Sequence, residues 1–369
     1  MIDYLLQRIE ESDAAGAADL VKDELQKKGK AWEIHLSLFP VVQRVLNPPF
    51  INPHLPKMYR IYREFKPYLL EEEIPALVRL EINEYARRAK LEKIPKPQLI
   101  SSSVSFKEVE SALRNQDREK AAVLLAALHR QKGGPELARL FLLLGSAYLG
   151  NSLGHSLSCT AFILLEMLER KEQDPWPALA TLADYFCKGR FHTTPDLPKP
   201  LKTLSEKALK EHLLRAASGT GIVNLHHTIT LYAIERVRHF FSNEEYQHLI
   251  ATWVDFLGDK KAKPVDIDRS NIFHVPDDSQ FRESFSKLDG KATVAIATGM
   301  IDSAEGRKNL GRFLLKGLGE LYRGDYNPHF LTGLGSALWV IDRYWNQRDI
   351  AVTALGQYIN FFFESIRTQ

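Results

Sequence analysis

Apolar residues recur at three- and four-residue steps through most of this chain, with charged residues filling the positions between. On that spacing the segments 16–28, 32–46, 72–90, 118–131 and 135–149 read as amphipathic helices. So do 155–170, 177–188, 203–216, 226–240, 243–257, 306–322, 329–345 and 348–366. No run of alternating β-branched residues is long enough to make a strand. The best candidate, Ala292 to Ala297, fits a buried helix equally well. Asn327-Pro328 reads as an N-cap followed by proline at the first helical position. The fold class is therefore all-α: a large, multi-helix, bundle-like single domain over residues 1–369, in which 1–46 can also be read as an N-terminal helical extension. Two loops interrupt the pattern. One, 189–203, carries Pro195, Pro198 and Pro200; the other, 258–281, is charged and carries Pro264 and Pro276. Loops of this length edge a site or are plain excursions.

Composition narrows the function classes. A chain of 369 residues, 44% of them hydrophobic, can bury a large core. A formal charge of +3 is small for this size and argues against nucleic acid as the main partner. Cys159 and Cys187 do not make a disulfide framework or a thiolate zinc site. The N-terminal stretch is acidic and amphipathic, unlike a signal peptide, and no segment reaches the ~20 uninterrupted apolar residues of a membrane span. A cytoplasmic protein acting on a small molecule, without nucleic acid or membrane partners, is the expectation; the oligomeric state is open. No GxGxxG with a following acid and no GxxxxGK[ST] is present, so tight nucleotide binding is not indicated, although NADPH could serve transiently as reductant.

The chemistry lies in the histidines. His155-Ser156-Leu157-Ser158, His227-Thr228-Ile229-Thr230 and His329-Phe330-Leu331-Thr332 share one signature, His-x-[Leu/Ile]-[Ser/Thr], each opening a helical run. His54, in Asn52-Pro53-His54-Leu55, echoes Asn327-Pro328-His329-Phe330. Neutral imidazole is the commonest protein ligand for a transition metal, and a nearby hydroxyl can orient the ring. His54, His155, His227 and His329 are thus the candidate metal ligands of a buried histidine cluster, with Ser158, Thr230 and Thr332 as supporting hydroxyls. The plain alternative is that each histidine caps its own turn and each hydroxyl bonds back along its helix. His226 competes with His227, but only His227 fits the repeat. His35, His129, His212, His239 and His248 read as surface or boundary residues, and His192 and His274 fall in the two loops.

Helical faces extend the picture. Phe162 follows His155 on one face, and Leu231 and Ile234 follow His227 on another; both faces offer apolar walls for a substrate pocket. The face of His329 carries Gly333 and Ser336, with Gly335 and Ala337 beside them. A run this small costs helix propensity, so another helix or a ligand must need the room; helix packing is the safer choice.

These segments resemble the questin oxidase-like family, in the family's order. Asn52-Pro53-His54-Leu55-Pro56 is similar to its Asn-His-x-Pro-Met segment, and Gly154 to Ala161 to its His-Gly-Leu-Ile-Arg-Thr-Ala-His segment. Leu225 to Thr230 is similar to its Val-His-Gly-Val-Thr segment, and His329 to Thr332 to its His-Ala-Ile-Lys segment. The resemblance spans residues 52 to 332. It implies an all-helical, non-haem iron oxygenase that uses Fe2+ and O2 on an aromatic or polyketide-like molecule, with oxidative C–C cleavage among its reactions. Two positions depart from the pattern. Thr332 stands where the family has a lysine that can be carboxylated, and Phe162 where it has a second histidine. Glu166 or Glu235 could supply an anionic ligand from another helix. The competing expectation is a helical binding or scaffold protein that keeps the fold without the catalysis.

Overall fold

The computed structural model describes the chain except residues 94, 97–99, 101, 171–173, 197–203, 266–277, 322–326 and 369. Among the described residues it is all-α, with two isolated bridges (Val45 with Lys90, Asn47 with Phe50) and no strand. Each amphipathic segment read from the sequence is mostly helix among the described residues, although 16–28 is α-helical only to Val21 and 226–240 only to Arg236, each followed by a short 3-10 turn; the ambiguous Ala292–Ala297 run lies inside the Gly290–Met300 helix. Segment 32–46 breaks into Lys30–Ser37 and Phe39–Val42, with Pro40 in the first turn of the second piece. Pro198, Pro200, His274 and Pro276 lie outside the described residues.

Two compact units, interleaved in sequence, make up the chain. The first comprises Met1–Arg60, Leu70–Pro200 and Ala233–Thr252; the second comprises Ile61–Leu69, Leu201–Tyr232 and Trp253–Gln369. Residues 1–46 belong to the first unit.

In the first unit the His155–Glu169 helix is buried along nearly its whole length, from His155 to Met167. Its sequence is apolar on every side, so it has no face to give to solvent. Leu153 (φ 50°) and Gly154 (φ 74°) turn the chain into it. The Gly134–Ser146 helix crosses it so closely that a Cβ on Gly145 would sit 2.6 Å from the Ser156 carbonyl oxygen. Ser156 Oγ closes the same contact by donating to the Gly145 carbonyl at 2.7 Å. The first turn of the helix is thereby held in place.

His35 and His248 are corrections to the surface reading, since both are buried. His35 Nδ1 lies 2.6 Å from Glu81 Oε2, and its ring is stacked between Trp32 and Tyr59. Tyr85 donates to the other oxygen of the same carboxylate at 2.8 Å. An acid and an imidazole can both be buried here because each answers the other's hydrogen-bonding demand.

In the second unit, His329–Tyr344 packs on Arg348–Arg367, and both are largely buried. The small residues of the His329 helix admit two other helices, Gly221–Arg236 and His54–Phe65. A Cβ on Gly333 would meet Leu225 Cδ2 at 2.7 Å, and one on Gly335 would meet Ile61 Cγ2 at 3.2 Å. Phe285, Phe330 and Phe362 pack ring against ring beside them.

Candidate metal centre

His54 and His155 are each the first residue of a helix, and both are buried. Their Nε2 atoms lie 2.8 Å apart in the first unit, with the rings edge to face. His155 Nδ1 is 2.7 Å from the Ser152 carbonyl oxygen. A carbonyl can only accept, so Nδ1 carries the ring proton and Nε2 is left with its lone pair.

The same two helices are joined at two further levels. Lys57 Nζ donates to Ser158 Oγ at 3.0 Å, and Arg60 lies 3.4 Å from Glu166. Since 54 meets 155, 57 meets 158 and 60 meets 166, the two segments run side by side in one direction. Arg60 also pairs with Glu169, and Arg170 with Glu166. Glu166, offered by the sequence as a ligand, therefore neutralises guanidinium groups.

The second unit holds another pair. His329 opens its helix, and its Nε2 lies 3.0 Å from Nε2 of His226. His226 Nδ1 is 2.7 Å from the Ile222 carbonyl oxygen and is therefore a donor. Asn327 Oδ1 accepts the backbone N–H of His329 at 3.0 Å, which identifies it as oxygen, and also lies 2.9 Å from His329 Nδ1. His329 Nδ1 is therefore a donor too. With Nδ1 donating in both rings, the two Nε2 atoms turn toward each other across 3.0 Å, each with its lone pair. A cation between them would answer both lone pairs. A shared proton would do so only at the cost of a buried imidazolium. Two nitrogens each ~2.1 Å from one ion and about 90° apart are separated by roughly 3.0 Å, so the spacing suits neighbouring ligands.

The partner of His329 is thus His226, and the sequence assignment of His227 is corrected. The helix begins at Gly221, so neither residue stands at a helix start. Adjacent helical positions point about 100° apart, and only one of them can share the face that meets His329. His227 faces Phe256 edge to face, and its Nδ1 lies 3.5 Å from Lys260 Nζ. Burial and the neighbouring Lys260 push the His227 pKa down to about 4. Ile222 and Val223 are apolar yet exposed, so the first turn of this helix lacks the buried stripe by which a helix is read from sequence.

The supporting hydroxyls separate as well. Ser158 binds Lys57, and Thr230 Oγ1 donates to the His226 carbonyl at 2.7 Å. Thr332 Oγ1 is buried with no hydrogen-bond partner among the described residues. Glu235 accepts a hydrogen bond from Tyr246. Of the expected pocket residues, Phe162, Leu231 and Ile234 are buried, Gly333 lies against Leu225, and Ser336 Oγ donates to the Gly333 carbonyl at 2.9 Å.

Exposed apolar side chains gather near the histidines in sequence. Nine large hydrophobics are exposed in the described chain, and five of them precede His54, His155 or His226 by at most four residues: Phe50, Ile51, Leu153, Ile222 and Val223. Phe50 is 61% exposed, and its ring sits edge-on to His54 at 6.3 Å between centroids. Among the described residues no helix is long and apolar enough to cross a membrane. No family model, curated protein or solved structure matches the chain.

Proposed function

We propose that the protein is a metal-dependent oxygenase, with non-haem iron held by His54, His155, His226 and His329, acting on an apolar aromatic or polyketide-like small molecule. The observation that carries this reading is the His226–His329 pair, in which both rings donate from Nδ1 and turn Nε2 toward each other at 3.0 Å. All four histidines are buried, and in each pair two ring nitrogens lie within 3.0 Å of each other. The donor set fits a divalent transition metal: imidazole suits iron, zinc and copper, and iron is favoured by the resemblance to the questin oxidase-like family. When bound, such an ion supplies O2 activation at a position that the protein ligands leave open.

The chain's own residues do the rest. The Ser152 and Ile222 carbonyls and Asn327 fix ring tautomers, so that Nε2 is the ligand atom in His155, His226 and His329. Phe50, Ile51, Leu153, Ile222 and Val223 favour an apolar substrate by offering exposed apolar surface close to the histidines in sequence. A scaffold reading without metal is favoured by the 2.8 Å His54–His155 distance, which one ordinary hydrogen bond explains.

The test is metal analysis of protein made without a histidine tag, stripped and then reconstituted with Fe2+ without oxygen. About one iron per chain is expected, followed by oxygen uptake when planar phenols are added. Absence of stoichiometric iron, manganese, copper or zinc removes the reading.

A further inference from the structure

We infer that Lys57 anchors an anionic oxygen of the substrate, making the substrate an apolar molecule that carries a phenolate, enolate or carboxylate. This deepens the proposed function and rests on it for the position of the centre.

Lys57 is fully buried, and among the described residues its amine has one hydrogen-bond partner, the hydroxyl of Ser158 at 3.0 Å. Lysine is almost never fully buried unless it is paired with an acid. One turn further along the same face, Arg60 receives two glutamates, Glu166 and Glu169. Acidic partners are thus supplied at the Arg60 level, whereas among the described residues Lys57 has the Ser158 hydroxyl and, nearby, the Cys159 thiol, whose pKa burial pushes up to about 11; no carboxylate pairs with it. An ammonium has three donors, and a single hydroxyl leaves two of them for something else.

Position says what that is. Lys57 follows His54 by three residues and Ser158 follows His155 by three, so the amine stands one turn, roughly 5 Å along the helix, from the paired imidazoles. An oxygen anion bound to an ion at the histidines lies within reach of the flexible lysine stem. Burial lowers the pKa of Lys57, and an arriving anion would restore its proton. The apolar residues Phe50 and Leu153, exposed beside His54 and His155 in sequence, suit the hydrocarbon body of the same ligand.

Benzoate is the probe, a planar apolar ring with one anionic group. Its binding is measured by calorimetry on wild type and Lys57→Met, each with cobalt(II) and after chelation, with cobalt content determined in parallel. Methionine replaces the stem with apolar volume of similar size, so folding is preserved. Equal cobalt content is expected in the two proteins, with one benzoate per chain bound to wild type and affinity about tenfold or more weaker in the variant, as loss of a charged hydrogen bond requires. Ser158→Ala, which frees the amine, should retain wild-type benzoate affinity. Equal affinity in wild type and Lys57→Met, or no benzoate binding to wild type, overturns the inference. Lys57-dependent benzoate binding in a protein that takes up no cobalt keeps the inference and rejects the metal centre.

Discussion

Replacing His226 and His227 one at a time separates two adjacent imidazoles with opposite roles. His226→Ala removes a ring whose Nε2 lies 3.0 Å from Nε2 of His329. Loss of one nitrogen ligand should weaken metal binding by about 100-fold or more, equivalent to ~2.7 kcal/mol. In the metal-free protein the same change also removes the facing lone pairs. That relief offsets much of the lost burial, so stability should change by less than about 1 kcal/mol. His227→Ala does the reverse. It deletes a buried ring packed edge to face on Phe256 at 4.8 Å, a contact worth ~0.5–1.5 kcal/mol beyond its burial. With the cavity it leaves, the expected cost is about 2–3 kcal/mol, and metal affinity should be unchanged. Competition against a chromophoric chelator gives the affinities, and urea unfolding of the metal-free proteins gives the stabilities. If His227→Ala weakens metal binding as much as His226→Ala, the assignment of the ligand face is wrong.

Three further outcomes follow from the packing and titration of the two units. Gly145→Ala, which in an open helix would stabilise by up to ~1 kcal/mol, should here destabilise by about 1–3 kcal/mol, because the new Cβ meets the Ser156 carbonyl oxygen at 2.6 Å. A neutral or stabilising result in urea unfolding contradicts the close crossing. Glu81→Ala should cost about 3 kcal/mol by the same assay, since the His35 ring and the Tyr85 hydroxyl both lose a buried bond to its carboxylate; a loss below ~1 kcal/mol would show that the pair bears little on stability. The folded pKa of His227 is lowered to about 4 from an ordinary value of 6.5, so between those values protons bind preferentially to the unfolded chain. Its effect is absent above pH 6.5, and stability falls as pH drops from 6.5 toward 4; His227→Gln should flatten that decline, and an unchanged slope would refute the assignment.

The helical pattern was legible because most helices keep one buried stripe, and period alone reveals such a stripe. Pattern was weakest where local chemistry takes over. Pro40 breaks the 32–46 segment although its apolar spacing continues, and Ile222 and Val223, apolar yet exposed, leave the first turn from Gly221 without a buried stripe. That gap explains the choice of His227, because a signature counted from an assumed helix start carries the error into the face. The surface reading of His35 failed for a different reason. Its partner Glu81 lies 46 residues away, and no local spacing signals a long-range acid–imidazole pair. The small residues Gly333 and Gly335 announced a close approach, and Leu225 and Ile61 are what approaches. Lys57 is the site residue that the histidine signature passed over. A lysine three residues after His54, on the same face, was the available signal.

X-ray absorption at the metal edge of the reconstituted wild-type protein tests the central claim most directly. The account predicts a first shell of nitrogen at ~2.1 Å, with the outer-shell scattering of several imidazole rings, and loss of one ring in His226→Ala but not in His227→Ala. A shell of oxygen alone without imidazole scattering, or a spectrum that His226→Ala leaves unchanged, contradicts it.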